Sequence, residues 1–547
     1  MSRDHRERWI ELVSQPSKPT VRLQKKLPIA IFLITAAILL ATHGNRVVST
    51  NDEGIILEPA RRMAAGAKPY LDFFGYMSPG SYWLQADVFR IFGISLWAGR
   101  LIVILDFSIQ TALIFWLVAR LASLRAAAAA ALIFAGFQIA DPNFLTSQHR
   151  WDSGTFALAG LCVALDAFEK RSPGRWILSG ALMAAGAWCT PTLALVGAAV
   201  ALWLAIDSTR RRQLIPWTAG AAMVTVLASG WLAINGSFGA FVRQLAWLRT
   251  NYSAVNIMPY GAVIGGYGPL LEGASGPELL MRGVLVICMA LPAILPIAAV
   301  ILSAIVLWRG KAPDEQRPVL HLLMLAVIAF VATVFPRADV MHLALVAALP
   351  YGLTAIALSR LMPARAGMTI AAVATALASM FGANFFRPLR DSQLISSPVG
   401  NLRVSSGRAQ ATQAWLAAIH PGDSLFVYPY MPMLYFLAQA RNPTQFSFLA
   451  PGVMRKHEES IALAELQNDP PEWLAYLKVA PGEVLRVFPN ASDLDWRFHV
   501  LEDWLEQNYE PAANPPVTMF GYQLWRRIPG GRSARPPVSA MVSPNYP

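Results

Sequence analysis

From Leu27 to Gly44 the sequence LPIAIFLITAAILLATHG holds no Asp, Glu, Lys or Arg, and comparable apolar runs recur as far as residue 383. A bilayer core of about 30 Å is crossed by about 20 apolar residues, and backbone polar groups that lipid cannot satisfy must pair within a helix. The recurrence therefore predicts a polytopic α-helical membrane protein of about eleven transmembrane helices. The expected spans are 27–44, 98–119, 124–140, 153–168, 174–189, 191–207, 214–235, 281–307, 318–335, 340–358 and 366–383. The first is read as a retained span, because no small-residue cleavage site follows it.

Composition agrees. Hydrophobic residues make up 55% of the 547 and charged residues 14%, against roughly 25% charged in soluble domains. The net charge of +12 does not indicate a nucleic-acid partner, because the basic residues sit in short clusters between apolar runs with no interleaved aromatics. They read as topology signals. Arg22, Lys25 and Lys26 precede the first span, and alternate loops carry Arg120 with Arg125, Lys170 with Arg171 and Arg175, Arg210 to Arg212, Arg309 with Lys311 and Arg317, and Arg360 with Arg365. The positive-inside rule assigns these to the cytoplasm. The loops 45–97, 141–152 and 236–280, the turn near 337 and the C-terminal segment then face the other side, although Arg46, Arg61, Arg62 and Lys68 in the first of them run against the rule. Cys162, Cys189 and Cys288 all lie in apolar runs and read as packing residues.

The expected organisation is a cytoplasmic arm (1–26), a transmembrane domain (27–383), a small extracytoplasmic α/β domain (384–528) and a disordered Pro/Gly/Ser-rich tail (529–547). The α/β domain is inferred from strand-like DSLFVYPY and YQLWRR and from helix-like MPMLYFLAQA.

Directly after the first span comes NDEGIILEPARRMAAGAKPYLDFFGYMSPG. Asp52 and Glu53 stand side by side a few residues beyond the lipid, in a composition that also suits a plain surface turn. The helical spacing that follows would lie in the interface, with Arg61 and Arg62 near headgroup phosphates; Asp72 and aromatics including Tyr76 come next. An acidic residue after the first span, then Gly66, Pro69, Tyr70 and Asp72, a Pro-Gly-x-Tyr motif and a Phe-Gly before the second span resemble the GT-C superfamily of polytopic glycosyltransferases, of the protein O-mannosyltransferase and lipid A aminoarabinose transferase type. Sharp motif matching is confined to residues 50–93. The resemblance implies that Asp52 or Glu53 holds the catalytic acidic position of the first outer loop.

The chemistry asks for such a group. The donor that the resemblance implies is a polyprenyl-phosphate sugar whose leaving group is the lipid phosphate, so a base must take the acceptor proton and cations must stabilise the leaving charge. Direct attack inverts the anomeric centre.

Two further loops bear candidates. ADPNFLTSQHRWDSG contributes Asp152 as a second catalytic carboxylate, with His149 and Arg150 as a phosphate grip, though a short polar turn needs charges merely to stay hydrated. FPRADVMHL contributes Arg337, Asp339 and His342; an internal Arg337–Asp339 pair is the plain reading, and donor-phosphate binding by Arg337 with His342 lining the pocket is the functional one. In the long loop, Tyr260 suits either a mobile cover over substrate or an interfacial anchor. No cofactor is required by this chemistry, and a divalent cation (Mg or Mn) held by carboxylates of two loops is the remaining option. The expected partners are the lipid-linked sugar, a lipid, glycan or protein acceptor and membrane lipids, in the inner membrane of a bacterium. A secondary transporter is the rival reading, but such proteins place ionisable groups near the midplane. Here only Asp106 lies well within a span.

Overall fold

The computed structural model describes residues 18–48, 52–75, 77–263, 265–450, 456–479, 481–491, 498–513 and 516–530. Residues 1–17 of the expected N-terminal arm, all but two residues of the expected C-terminal tail, and Tyr76 fall outside them, while residues 18–26 of the arm are already helical. The first part of the chain is helical: α1 (Lys18–His43), α2 (Asp52–Ala64), α3 (Pro79–Phe92), α4 (Leu96–Leu121), α5 (Leu124–Gln138), α6 (His149–Lys170), α7 (Pro173–Cys189), α8 (Ala194–Ile206), α9 (Leu214–Ile234), α10 (Phe238–Val255), α11 (Gly276–Trp308), α12 (Arg317–Ala332), α13 (Val340–Ala344), α14 (Ala348–Leu361) and α15 (Ala364–Arg390).

Among the described residues, six helical segments are long and apolar enough to cross a membrane: Lys26–His43, Leu96–Leu121, Arg211–Ile234, Gly276–Trp308, Asp314–Ala332 and Ala364–Arg390. The chain is an integral membrane protein. Helices also run through the other expected spans, but they are shorter or more polar. Two expectations need correction. The run 340–358 is not one helix, because the chain breaks between Ala344 and Ala348 and the short α13 stands apart at the turn. The loop 236–280 is not a plain loop, since it holds α10 and the first turn of α11.

Tight turns and small residues build the bundle. Ser95 and Ser123 accept hydrogen bonds from the amides of Ala98 and Ala126, capping α4 and α5 where the chain reverses. Helices α7 and α9 cross at backbone contact, where a Cβ on Gly180 would sit 1.9 Å from the Trp217 carbonyl oxygen and one on Gly220 at the same distance from that of Ile177. Only glycine permits that approach.

The basic loops meet at one end of the bundle. Arg120, Lys170 and Arg175 surround Asp166 at 3.4, 2.7 and 2.7 Å, and Arg360 Nη2 donates to Leu121 O at 2.9 Å. The opposite end carries α2, the residues around 148 and 337, and the C-terminal unit.

That unit begins after α15 with the antiparallel pair β1 (Ser392–Ile395) and β2 (Leu402–Ser405), then α16 (Ser406–Ala417), β3 (Leu425–Tyr428), α17 (Met433–Ala438), α18 (Lys456–Asn468), β4 (Trp473–Tyr476), α19 (Pro481–Val487), α20 (His499–Asn508), β5 (Tyr509–Pro511), β6 (Thr518–Met519) and β7 (Tyr522–Arg527). The main sheet runs β3-β4-β7-β5, with β3 and β4 parallel, β7 antiparallel to β4 and β5, and β6 paired to β7. Strand β3 is buried throughout, as expected of a strand covered on both faces.

The unit does not stand alone. One core joins Ile56, Leu57, Met63, Tyr82 and Phe89 of the first loop to Leu425, Leu434 and Phe436 of the unit. Helix α2 is therefore walled in by the C-terminal unit. Its closest approach is at Gly54, where a Cβ would stand 2.1 Å from the Met433 amide nitrogen.

Candidate active site

Helix α2 starts at Asp52, and its first turn is fixed by the next residue. Glu53 is fully buried and forms a two-pronged ion pair with buried Arg100 of α4; one prong joins Arg100 Nε to Glu53 Oε1, and the other spans 2.8 Å from Nη2 to Oε2. Arg100 Nη1 also lies 2.7 Å from His43 Nε2, which is 2.6 Å from Leu145 O. The end of α1, the start of α4 and the segment before α6 are thus tied to one guanidinium. Glu53 has no exposed surface, which leaves Asp52 as the carboxylate of this pair that meets solvent.

Asp52 is exposed, yet burial is the largest influence on its carboxyl and pushes it above its ordinary pKa, against the opposing pull of His342 and Arg337. Open to water but closely surrounded, Asp52 lines a recess. Gln148 does not cap α6; its amide Nε2 instead donates to Asp52 Oδ2 at 3.3 Å.

The cationic side of the recess is the turn before α13. Asp339 caps that helix, accepting from the His342 amide at 2.9 Å, and it also meets His342 Nδ1 at 2.7 Å and Arg337 Nε at 2.9 Å. Although burial pushes its carboxyl up, these bonds and the two neighbouring charges hold it down at about 2. Arg337 Nη1 donates to Asn256 Oδ1 at 2.8 Å. The turn is laced to the loop after α10 by Met258 N to Pro336 O (3.0 Å), Gly261 N to Ala338 O (2.8 Å) and Val340 N to Ala262 O (2.9 Å). The C-terminal unit covers this corner: the Arg337 guanidinium lies 5.7 Å from the Phe488 ring, and Asn490 Nδ2 donates to Ile257 O at 3.0 Å. Arg337 and Asp339 form the internal pair of the plain reading, and Asp52 also acts on the Arg337 guanidinium electrostatically.

His149 and Arg150 border the same end, with His149 Nδ1 2.6 Å from Thr190 Oγ1 and Arg150 Nη1 donating to Thr333 O at 3.3 Å. Asp152 is elsewhere. One turn further into α6, it is buried, and its carboxyl hydrogen-bonds to Asp106 of α4 and Ser81 of α3. The structure thereby supplies the partner of Asp106. Because Asp52 and Asp152 face different neighbours, the two loops do not offer a joint carboxylate set for a divalent ion. Among the described residues no group of three or more His, Cys, Asp or Glu side chains is placed to hold one.

Four other candidates have partners within the fold. Arg61 does not reach toward headgroups: it forks onto buried Glu58 at 2.7 and 2.8 Å and donates to Ala440 O at 2.7 Å, clamping α2 to the C-terminal unit. Arg62 donates to Asp72 O at 2.6 Å and lies 5.2 Å over the Phe73 ring. Asp72 closes its own turn by accepting from the Lys68 amide at 2.6 Å. Tyr260 is an anchor, its hydroxyl donating to Ala293 O of α11 at 2.7 Å. The sequence reading missed Arg100, Gln148 and Asn256. Arg100 carried a usable signal, since a guanidinium inside an apolar run demands a partner.

The described helical bundle carries Asp52 in its first loop with Arg337 among its neighbouring charges, and it continues into a C-terminal α/β unit. Residues 77–234 match the family model of the dolichyl-phosphate-mannose-protein mannosyltransferases. The fold is similar to that of ArnT from Cupriavidus metallidurans bound to undecaprenyl phosphate, with a TM-score of 0.53 and 12% identity over 95% of this chain and 100% of that one. Weaker likenesses are to the Archaeoglobus fulgidus oligosaccharyltransferase in the apo form (TM-score 0.48, 11% identity, 83% of this chain and 70% of that one) and to the arabinosyltransferase EmbB from Mycobacterium smegmatis (0.42, 17%, 65% and 37%). No curated protein matches the chain in sequence. The resemblance read from residues 50–93 is thus borne out in fold and in the adjoining sequence.

Proposed function

We propose that the protein transfers a sugar from a polyprenyl-phosphate donor to an acceptor hydroxyl on the extracytoplasmic face, with Asp52 as base. The observation that carries this reading is the placement of the Asp52 carboxylate in a recess beside Arg337 and His342. The acceptor oxygen attacks the anomeric carbon, the bond from that carbon to the phosphate oxygen breaks, and its electron pair leaves with the polyprenyl phosphate. Asp52 takes the acceptor proton as attack proceeds, and Arg337 meets the developing phosphate charge. A single displacement inverts the anomeric configuration. Burial supports the role, because a carboxylate raised in pKa is a stronger base while still ionised near neutral pH.

His342, held by Asp339, lines the sugar or acceptor side, and His149 with Arg150 extends the polar rim. The alternation of basic loops favours an orientation in which this end faces away from the cytoplasm, and the bundle is read as eleven spans in a bacterial inner membrane. The test is transfer from polyprenyl-phosphate-linked mannose and aminoarabinose by purified protein, followed by assignment of the product anomer. An inverted product that disappears in Asp52→Asn supports the reading; a retained configuration contradicts it.

A further inference from the structure

A second polar cavity lies away from the recess and shares none of the residues placed around Asp52. Its volume is about 560 Å³, and it opens where the ends of α1 and α15 meet the C-terminal unit, lined by Arg46, Leu389, Arg403, Ser405, Gly407 and Arg408 among others. Among the described residues, three guanidinium groups line it and no carboxylate does.

The hydrogen bonds of Arg46 and Arg403 go to neutral groups, and Asp141 attracts Arg46 only electrostatically. Arg46, 7% exposed, donates from Nη1 to Phe385 O at 2.6 Å and lies 5.1 Å over that ring. Arg403 Nη1 donates to Ser392 Oγ at 3.2 Å, and its Nε is shielded from solvent without an acceptor among the described residues. Helix α16 begins at the same wall. Its N-cap residue Ser405 makes no side-chain capping bond, and the space where a Cβ of Gly407 would stand is open. First-turn amides and a helix N-terminus favour an anion, and guanidinium forks match phosphate oxygens in pairs. Like charges gathered in a partly closed space are costly until an anion joins them.

The cavity lies just beyond two lipid-facing helices. Helix α1 exposes Ile29, Leu33 and Ile34, α15 exposes Val373 and Met380, and the helices touch at their ends through the His43 and Phe385 rings, 5.2 Å apart. A phosphate seated there would be at headgroup level, with acyl chains running down the exposed apolar surface of those helices. We propose that this cavity binds the phosphate head group of an anionic membrane lipid, at a position apart from the donor phosphate. The proposal rests on the cavity alone and stands whether or not Asp52 is the base.

The test is native mass spectrometry of the full-length protein released from micelles containing phosphatidylglycerol and phosphatidylcholine. The intact protein should retain phosphatidylglycerol in preference by about tenfold, the equivalent of one charge-assisted hydrogen bond. Arg403→Gln with Arg408→Gln should bring the ratio to about one on the same scale. Gly407→Glu, which places an acid where a helix start tolerates it, should do likewise and guards against misfolding of the double variant. Millimolar inorganic phosphate should leave the bound lipid in place. An unchanged preference in both variants overturns the site, and displacement of the lipid by inorganic phosphate overturns its assignment to a lipid head group.

Discussion

Glu53 and Arg100 form an ion pair with both side chains wholly excluded from solvent, one residue along the chain from the exposed carboxylate of Asp52. The two adjacent acids therefore divide their work: one anchors the helix start and the other faces the recess. Removing one partner of such a pair leaves an uncompensated buried charge, at a cost of about 3–5 kcal/mol. Glu53→Gln should lower the thermal unfolding temperature in detergent and reduce the yield of folded protein. Glu53→Leu combined with Arg100→Met should recover part of that loss, because an apolar pair of similar volume carries no desolvation penalty.

Gly54 presses α2 against the Met433 amide. A methyl group there must push helix and C-terminal unit apart, so Gly54→Ala should cost about 1–3 kcal/mol or more. Limited proteolysis after residue 390 should speed up in the variant relative to the intact protein.

Asp339 gives a pH signature. Its carboxyl is held at about 2 in the folded protein, below an unfolded value of about 3.9. A depressed carboxyl contributes stability that is fully present above the unfolded value and is lost as pH falls through the folded one. The shift is worth about 3 kcal/mol at neutral pH. Asp339→Asn should remove that amount at pH 7 and very little at pH 2, measured as the difference in unfolding free energy from the intact protein.

Arg337 faces both Asp339 and the recess. Arg337→Gln should lower kcat by about 10²–10³-fold, the scale for losing a preorganised donor to transition-state charge. Asp339→Asn, which frees rather than removes the guanidinium, should reduce it less. Equal losses in single-turnover assays would count against the positioning role of Asp339.

The bundle was legible because apolar length and alternating basic loops are properties of consecutive residues, and the match of 98–119 to α4 and 366–383 to α15 follows from that. Asp52, Arg337 and His342 stand out as candidates in loop composition for the same reason. What stayed hidden depended on residues distant in sequence. Glu53 could be told from Asp52 only once Arg100 was seen inside the fold. Asp152, a sound candidate by loop position, is turned inward by helix phase toward Asp106. Arg61 and Arg62 looked like headgroup ligands until the C-terminal unit was found to pack on α2 and claim Arg61 through Ala440. The spacing of Glu58 and Arg61, three apart on one helix face, was the one local sign of that clamp.

The central claim is that Asp52 takes the acceptor proton, and the pH dependence of transfer by the intact protein and by Asp52→Asn tests it most directly. At neutral pH an ionised carboxylate with a raised pKa costs the folded state stability. The asparagine variant should therefore unfold at the same temperature or higher while losing transfer by about 10²–10⁴-fold. In the intact protein, kcat/KM should rise with pH through an acid limb above the ordinary carboxylate range, and that limb should be absent from the residual activity of the variant. Full transfer by a folded Asp52→Asn, with the acid limb intact, would contradict the account.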